Sequence, residues 1–306
     1  MKNYILFLLT FFISYISFGQ KQVAITIDDL ISNGPHKVLE HIEAFNDKII
    51  QTAQSCGITA VGFVNEEKLN RDGERDRRVQ ILKNWLDAGM DLGNHTYSHP
   101  SLYKTPLWKF KEEVIKGEII TKGLLEERGL KMRYFRHSYL NTGPDSLTKA
   151  SFEQFLKDHK YTVAPVTVES SDYVFNKIYT NAYLNGDTSE MRLIGRQYVE
   201  HTLNMFEWME SATDQVVGRE IPHIFLCHVN PLNADYLGEI YQRLEEAGYT
   251  FISLETALQD PVYQKTDYHI GAWGLSWVYR WDKGKAKEWL QTEPELSPEI
   301  LDKYRQ

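Results

Sequence analysis

Short runs of β-branched residues alternate with longer amphipathic segments along most of the chain, and this alternation restricts the fold more than any other feature. Residues 23–27 form a buried-strand pattern that ends on two aspartates, and residues 36–55 repeat apolar side chains at helical spacing before Gly57. Residues 60–64 are typical of a second strand. Strands that alternate with helices favour a parallel sheet with right-handed crossovers.

The same alternation continues to about residue 252. Further strands are predicted at residues 90–93, 132–135, 161–166, 223–227 and 249–252, and further helices at residues 79–89, 106–128, 144–160, 189–217 and 234–247. Seven or eight such units in 306 residues favour a barrel of the α/β class, with a doubly wound open sheet as the alternative. No glycine-rich loop of the dinucleotide or P-loop type follows a predicted strand.

The charge of the chain argues against nucleic acid as a partner. The formal net charge is −8, and no run of lysine or arginine stands out. With 42 % hydrophobic and 25 % charged residues, the composition is that of a globular protein with a sizeable core. The two cysteines, Cys56 and Cys227, could pair in an exported protein, but their positions at the end of a predicted helix and late in a predicted strand favour two buried free thiols.

The first 19 residues have the pattern of a secretory signal. A basic start precedes an apolar run over residues 4–18, and the small residues Ser17 and Gly19 precede a cut before Gln20. We therefore expect residues 1–19 to be removed and the protein to be exported, to the periplasm or the extracellular space. No stable membrane span is expected after signal removal, and a retained anchor is the alternative.

Two histidines, His95 and His99, stand four residues apart directly after the third predicted strand. On one helical turn this spacing places both imidazoles on the same face, where they can bind one metal ion. Hydrolases that use zinc hold it with three protein ligands and leave one coordination position for water. The pair therefore needs a third ligand from elsewhere in the chain, together with an acid and a base.

Polar side chains occur at or soon after the carboxyl ends of several other predicted strands. They are Asp28, Asp29, Arg136, Asp172 and His228. In α/β barrels this end of the sheet carries the active site. The placement of these residues therefore predicts one shared site.

These residues suffice for metal-assisted hydrolysis. Either Asp28 or Asp29 can complete a metal site with the histidine pair, while the other accepts a proton from the metal-bound water that acts as nucleophile. His228 would donate a proton to the leaving group, with Asp172 holding its tautomer and raising its pKa. Arg136 is expected to pair with the basic carboxylate and lower its pKa.

Five short motifs resemble those of the polysaccharide deacetylases of carbohydrate esterase family four, the domain shared with the Nod-factor deacetylase. They are TIDDL at residues 26–30, HTYSH at 95–99, RHSY at 136–139, ESSDY at 169–173 and IFLCH at 224–228. The motifs occur in the order of the family and span about residues 23–260. The resemblance implies a distorted (β/α) barrel of about seven strands.

The resemblance also assigns the metal site and its neighbours. It implies that Asp29, His95 and His99 bind one divalent metal ion, with zinc as the expected ion. It implies that Asp28 is the base, held by Arg136.

For the opposite side of the site, the resemblance implies that Asp172 tunes His228 as the acid and that the amide of Tyr139 forms the oxyanion hole. The implied reaction is removal of N-acetyl or O-acetyl groups from a polysaccharide or oligosaccharide.

The chain departs from the family pattern at four positions. Leu30 replaces a glycine and is expected to change the backbone of the first loop, because leucine resists positive φ. Ser138 replaces a proline and is expected to loosen the turn that carries Tyr139. Glu169 and Tyr173 replace an aspartate and a tryptophan. No departure removes a proposed ligand, the base or the acid.

The predicted organisation is a catalytic barrel at residues 20–260 and an aromatic-rich extension at residues 261–306 that packs on it. Two other functions remain open. One is hydrolysis of a small non-sugar amide by the same metal chemistry. The other is a non-catalytic module that binds the cell envelope or a glycan, although such a module needs neither base nor acid.

Overall fold

The computed structural model describes residues 20–35 and 37–305 of the 306-residue chain. The expected signal segment, residues 1–19, lies outside these described residues. No helix in the described part is long and apolar enough to span a membrane. Both cysteines are free, and Cys227 is buried whereas Cys56 is half-buried.

The described residues form one parallel sheet of eight strands. The strands are β1 (Gln22–Leu30), β2 (Val61–Val64), β3 (Asp91–Asn94), β4 (Tyr134–Phe135), β5 (Thr162–Val163), β6 (Val168–Glu169), β7 (His223–His228) and β8 (Thr250–Ile252). Seven of them follow the order β5-β4-β3-β2-β1-β7-β6, and β8 pairs with the start of β1. This curled sheet confirms the predicted α/β distorted barrel.

Helices connect the strands and cover the outside of the sheet. In the described ranges they are α1 (Leu39–Ser55), α2 (Arg75–Asp87), α3 (Leu107–Lys116), α4 (Ile119–Glu126), α5 (Ser146–Asp158), α6 (Asp172–Leu184), α7 (Thr188–Val217), α8 (Pro231–Glu246), α9 (Leu254–Ala257), α10 (Trp277–Trp281), α11 (Ala286–Leu290) and α12 (Pro298–Arg305). Most of the helices predicted from the sequence are present with shifted ends, and α6 was not predicted.

The single helix predicted at residues 106–128 is instead two helices, α3 and α4, separated at Gly117. A Cβ on Gly117 would lie 2.5 Å from the backbone carbon of Thr96, in the loop after β3. The helix therefore ends where that loop packs against it. Apolar periodicity continues on both sides of the break, so the sequence pattern did not reveal it.

Alternate residues of β1 face opposite sides of the sheet. Ile25 and Ile27 belong to the core beneath the helices, whereas Ala24 packs with Phe63 in a second cluster inside the barrel. Asp28 lies four residues after Ala24, so its side chain also points toward the barrel interior, at the carboxyl end of the strand. The alternation of side chains along β1 therefore places the Asp28 carboxylate in the site.

The C-terminal extension packs against the carboxyl end of the barrel. Trp277 and Trp281 are buried, and the Trp277 amide donates to the carbonyl of Val166 (2.8 Å). Trp273 remains 81 % exposed. Most of the aromatic side chains of this segment thus cover the barrel rather than face solvent.

Candidate active site

Asp28 lies at the bottom of the site with its side chain almost fully buried. Its Oδ2 atom is 3.4 Å from Nη1 of Arg136, whose Nη2 donates to Oγ1 of Thr26 (2.9 Å). Burial raises the pKa of Asp28 to about 6, although Arg136 lowers it. The arginine therefore acts in the expected direction, but desolvation outweighs it. Oδ1 of Asp28 is buried without a hydrogen-bond partner in the described residues.

Asp29, His95 and His99 converge beside Asp28. Each offers one ligand atom, and these three atoms lie within 4.8 Å of one another. Nδ1 of His95 is 2.8 Å from the carbonyl oxygen of Arg136. A carbonyl only accepts hydrogen bonds, so Nδ1 carries the proton and Nε2 keeps its lone pair for a ligand.

The loop after β3, rather than a helical turn, brings the two histidines together. Thr96 and His99 have φ values of 69° and 58°, which are incompatible with an α-helix. The Thr96 amide donates to Oδ1 of Asn94 (2.7 Å), and the His99 amide donates to Oγ1 of Thr96 (3.1 Å). The imidazole centroids lie 4.8 Å apart. The expectation of a helical pair is therefore wrong, although the pair converges.

A bulge in β1 separates the two aspartates. The register with β2 shifts between Ile27 and Leu30, and Asp29 has a φ of 65°. Because of the extra residue, the side chain of Asp29 no longer follows the alternation of side-chain direction along the strand, whereas Asp28 still follows it. Positive φ was expected to be a problem at Leu30, but it falls on Asp29 instead.

Two further residues hold the Asp29 carboxylate, and sequence reasoning missed both. Nζ of Lys68 is 3.0 Å from Oδ1, and Nδ2 of Asn33 donates to Oδ2 (2.6 Å). Burial raises the pKa of Asp29, but Lys68 and His99 together hold it well below its usual range. Lys68 lies 39 positions away in sequence, so no local pattern indicated it.

Asp172 and His228 form a hydrogen-bonded pair on the other side of Asp28. Asp28 and His228 are register partners on β1 and β7. Nδ1 of His228 is 2.7 Å from Oδ1 of Asp172. The carboxylate can only accept, so Nδ1 is the donor and Nε2 is left for a substrate. Burial lowers the pKa of His228, but the Asp172 carboxylate outweighs it and raises the value to about 9.

Two asparagines of α8 complete the environment of Asp172. Nδ2 of Asn233 donates to Oδ2 of Asp172 (2.5 Å), and Nδ2 of Asn230 donates to the same atom (3.2 Å). Asn230 is also the N-cap of α8, since its Oδ1 accepts from the Asn233 amide. An asparagine directly before a proline signals a helix start, but that signal did not indicate a role beside Asp172.

Tyr139 lies in a turn that the C-terminal extension supports. Tyr139 and Leu140 have φ values of 55° and 53°, and the Tyr139 ring centroid is 4.5 Å from that of His99. Arg280 donates from Nη2 to the Leu140 carbonyl. A Cβ on Gly274 would lie 2.1 Å from the Tyr139 carbonyl oxygen. The extension thus contacts the turn that Ser138 was expected to loosen.

The other two residues that depart from the family pattern, Glu169 and Tyr173, lie behind the site and at its edge. Oε1 of Glu169 accepts from the Ser171 amide (2.7 Å), next to Asp172. Tyr173 is 48 % exposed. His137, next to Arg136, is buried between the rings of Phe135 and Phe152, and burial lowers its pKa to about 3.

The chain is similar in sequence to known polysaccharide deacetylases. Residues 16–163 match the family model of polysaccharide deacetylases. A peptidoglycan-N-acetylglucosamine deacetylase from Bacillus cereus is 27 % identical over 168 residues, which cover 54 % of each protein. The chain thus spans about half the length of this relative. Residues 16–163, just under half of the chain, therefore resemble the polysaccharide deacetylase family.

Solved structures show the same fold at low identity. A mutant of a carbohydrate esterase family 4 pseudoenzyme, whose natural form is from Bacillus anthracis, gives a TM-score of 0.53 at 15 % identity, with 78 % of this chain and 67 % of that chain covered. The family 4 esterase domain of a xylanase from the hindgut metagenome of Trinervitermes trinervoides gives 0.51 at 16 % identity, covering 84 % and 98 %. These likenesses establish the fold alone.

Proposed function

We propose that this protein is a metal-dependent deacetylase that hydrolyses N-acetyl or O-acetyl groups of an acetylated glycan. One observation carries the proposal. A buried carboxylate with an unpartnered oxygen lies beside three metal-compatible ligand atoms, and a histidine held by a second carboxylate lies on the neighbouring strand. This set provides a base, an acid and a metal site at one end of the barrel.

The proposed metal ligands are Asp29, His95 and His99. Two imidazole nitrogens and one carboxylate oxygen form a donor set that suits zinc. The fixed tautomer of His95 supports this role, since its Nδ1 proton is held by a carbonyl. When bound, a divalent ion such as zinc would lower the pKa of a coordinated water and polarise the acetyl carbonyl.

Asp28 is the proposed general base. Its unpartnered Oδ1 is free to accept a proton from the attacking water. Arg136 remains paired with the other oxygen, at 3.4 Å, and fixes the orientation of the carboxylate. Burial raises the pKa of Asp28 to about 6, which brings it closer to neutral pH and makes it a stronger proton acceptor than an exposed aspartate.

His228 is the proposed general acid. The Asp172 carboxylate keeps the imidazole protonated, so Nε2 can donate a proton to the leaving amine or alcohol. The backbone amide of Tyr139 is the proposed donor to the developing oxyanion. Water thus adds to the acetyl carbon, the bond to nitrogen or oxygen breaks, and the products are acetate and the free amine or alcohol.

The same residues favour an enzyme over a binding module. A glycan-binding surface has no use for a buried aspartate with a raised pKa or for a histidine held protonated by a carboxylate. Perturbed titratable groups in such numbers are characteristic of catalytic sites.

Peptidoglycan is the first substrate to test, because the Bacillus cereus relative is named for its action on peptidoglycan N-acetylglucosamine. Such a substrate lies outside the cytoplasm, which agrees with the signal-like pattern at residues 1–19. We therefore propose that the protein acts in the periplasm or extracellular space. Cell fractionation checks this, and a protein found only in the cytosol would contradict it.

The function is tested by measuring acetate release from peptidoglycan, chitin oligomers and acetylated xylan. Each reaction is run with chelated protein and again after zinc is restored. The Asp28→Asn variant is the control, because it should bind the metal but lack the proposed base. Zinc-restored release from any of the three glycans is the expected result. Release from none of them, with zinc confirmed bound, would refute the proposed function.

A further inference from the structure

A cavity of about 370 Å³ opens beside Asp29, between the segments that follow β1 and β2. Ser32 and Lys68 both line it, and both donate to the carbonyl oxygen of Asp29, each at 3.0 Å. The inner wall of the cavity is therefore in direct contact with a proposed metal ligand. It lies at the carboxyl end of the strands, on the same edge as the active site.

The lining of this cavity is basic, although the whole chain carries a net charge of −8. Lys37, Lys68, Arg71 and Arg78 line it, with Glu67 as the single acidic side chain. The lining therefore carries more basic than acidic side chains, unlike the chain as a whole.

The four cations differ in how their charge is balanced. Arg78 pairs with Glu74 (2.6 Å), and Lys68 pairs with Asp29 (3.0 Å). Lys37 and Arg71 are exposed and form no ion pair within residues 20–35 and 37–305. Two unpaired cations on the wall of one cavity attract an anion from solution.

We propose that this cavity, which we call the basic subsite, binds a carboxylate carried by the glycan substrate next to the acetylated sugar. The inference rests on the proposed function, because it makes the subsite part of substrate recognition. Lys37 and Arg71 would contact the carboxylate directly. A cavity of about 370 Å³ is within the ordinary size range of ligand sites. The carboxylate can belong to an attached peptide or to a uronic sugar.

The test compares the Lys37→Gln/Arg71→Gln double variant with a control double variant, Lys131→Gln/Arg192→Gln. The control removes the same charge from exposed positions that do not line the cavity. All proteins carry Asp28→Asn for the binding measurements, so that turnover does not interfere. Isothermal titration calorimetry then gives the affinity of each protein, loaded with zinc, for each ligand.

Four ligands separate the possible sources of binding. They are a peptidoglycan disaccharide–peptide, the same fragment with its carboxylates amidated, an acetylated oligosaccharide that contains a uronic acid, and inorganic phosphate. An exposed ion pair contributes up to about 1 kcal/mol, or about 5-fold. The Lys37→Gln/Arg71→Gln variant should therefore bind a carboxylate ligand about 5- to 20-fold more weakly, while its affinity for the amidated fragment is unchanged.

The two carboxylate ligands identify the source, since the larger loss marks the group that the subsite recognises. The control variant should bind all ligands like the parent. Salt should weaken binding of the carboxylate ligands to the parent more than to the Lys37→Gln/Arg71→Gln variant.

Two results would overturn the inference. One is equal affinity of both double variants for the carboxylate ligands. The other is binding of inorganic phosphate that depends on Lys37 and Arg71, with no preference for the carboxylate fragment over the amidated one, which would indicate an adventitious ion only. Turnover by protein with an intact Asp28 is measured separately. Charge-dependent binding without turnover would refute the proposed deacetylase and leave the subsite standing.

Discussion

Gly274 provides a sharp test of the contact between the C-terminal extension and the active site. A Cβ at this position would lie 2.1 Å from the carbonyl oxygen of Tyr139 and 2.2 Å from Cβ of Leu140. Ordinary contacts begin at 3.4 Å, so the Gly274→Ala substitution must displace the turn by about 1.3 Å. The turn carries the amide that we propose as the oxyanion donor.

The expected effects follow from that displacement. Overpacking of this kind costs typically about 1–3 kcal/mol of the free energy of unfolding. A misplacement of about 1 Å in a catalytic group lowers the rate by about 10²-fold, and loss of an oxyanion donor has a similar effect. We therefore expect Gly274→Ala to lower kcat about 10- to 100-fold while KM changes little, because the donor acts mainly in the transition state.

The assay measures kcat and KM for acetate release together with the free energy of unfolding in urea. Gly123→Ala is the matched control, since a Cβ at Gly123 meets no atom within 4 Å. Arg280→Lys is a second variant, because it keeps a positive charge near Asp267 but loses the forked donor to the Leu140 carbonyl. A Gly274→Ala protein that folds and keeps the wild-type kcat would refute the proposed role of the turn.

Three further predictions concern the site itself. Asp28→Asn should lower kcat by about 10²- to 10⁴-fold with little change in zinc affinity, measured by competition with a chelating dye; a near-normal kcat would show that another group is the base. His95→Ala should weaken zinc binding by at least about 10²-fold in the same assay, and an unchanged affinity would exclude His95 as a ligand. In chelated protein the folded-state pKa of His228 is raised to about 9, so the stabilisation from its pair with Asp172 is complete below about pH 6.5 and is lost as the pH rises to 9. Urea unfolding across this range should show the loss in the wild type but much less of it in Asp172→Asn, and an equal pH dependence in both would contradict the assignment.

The sequence predicted the architecture because strands and helices leave different periods of apolar residues. The β-branched run at residues 23–27 is buried on both faces in a parallel sheet, so it appears as a continuous apolar segment. The sequence pattern could not locate the break between α3 and α4 at Gly117, because that break depends on a contact with the loop after β3. The sequence pattern also missed α6, although this helix is as long as α2 and α5.

The sequence also predicted where the polar residues would meet. Asp28, Arg136 and His228 follow different strands, and parallel strands bring their carboxyl ends to one edge. The structure brings all three together with Asp172. The residue pattern left open which of the two adjacent aspartates points inward, and the bulge at Asp29 distinguishes them.

The sequence alone therefore determined the class of fold, the edge of the sheet that carries the site and the residue types available there. The tertiary structure decided which atoms face one another. Lys68 reaches Asp29 from 39 positions away, and Arg280 reaches Leu140 from 140 positions away. Local patterns report only neighbours along one strand or helix, whereas these contacts arise when segments distant in sequence pack together. The contact of Lys68 places a positive charge beside Asp29, and the contact of Arg280 supports the turn that carries Tyr139.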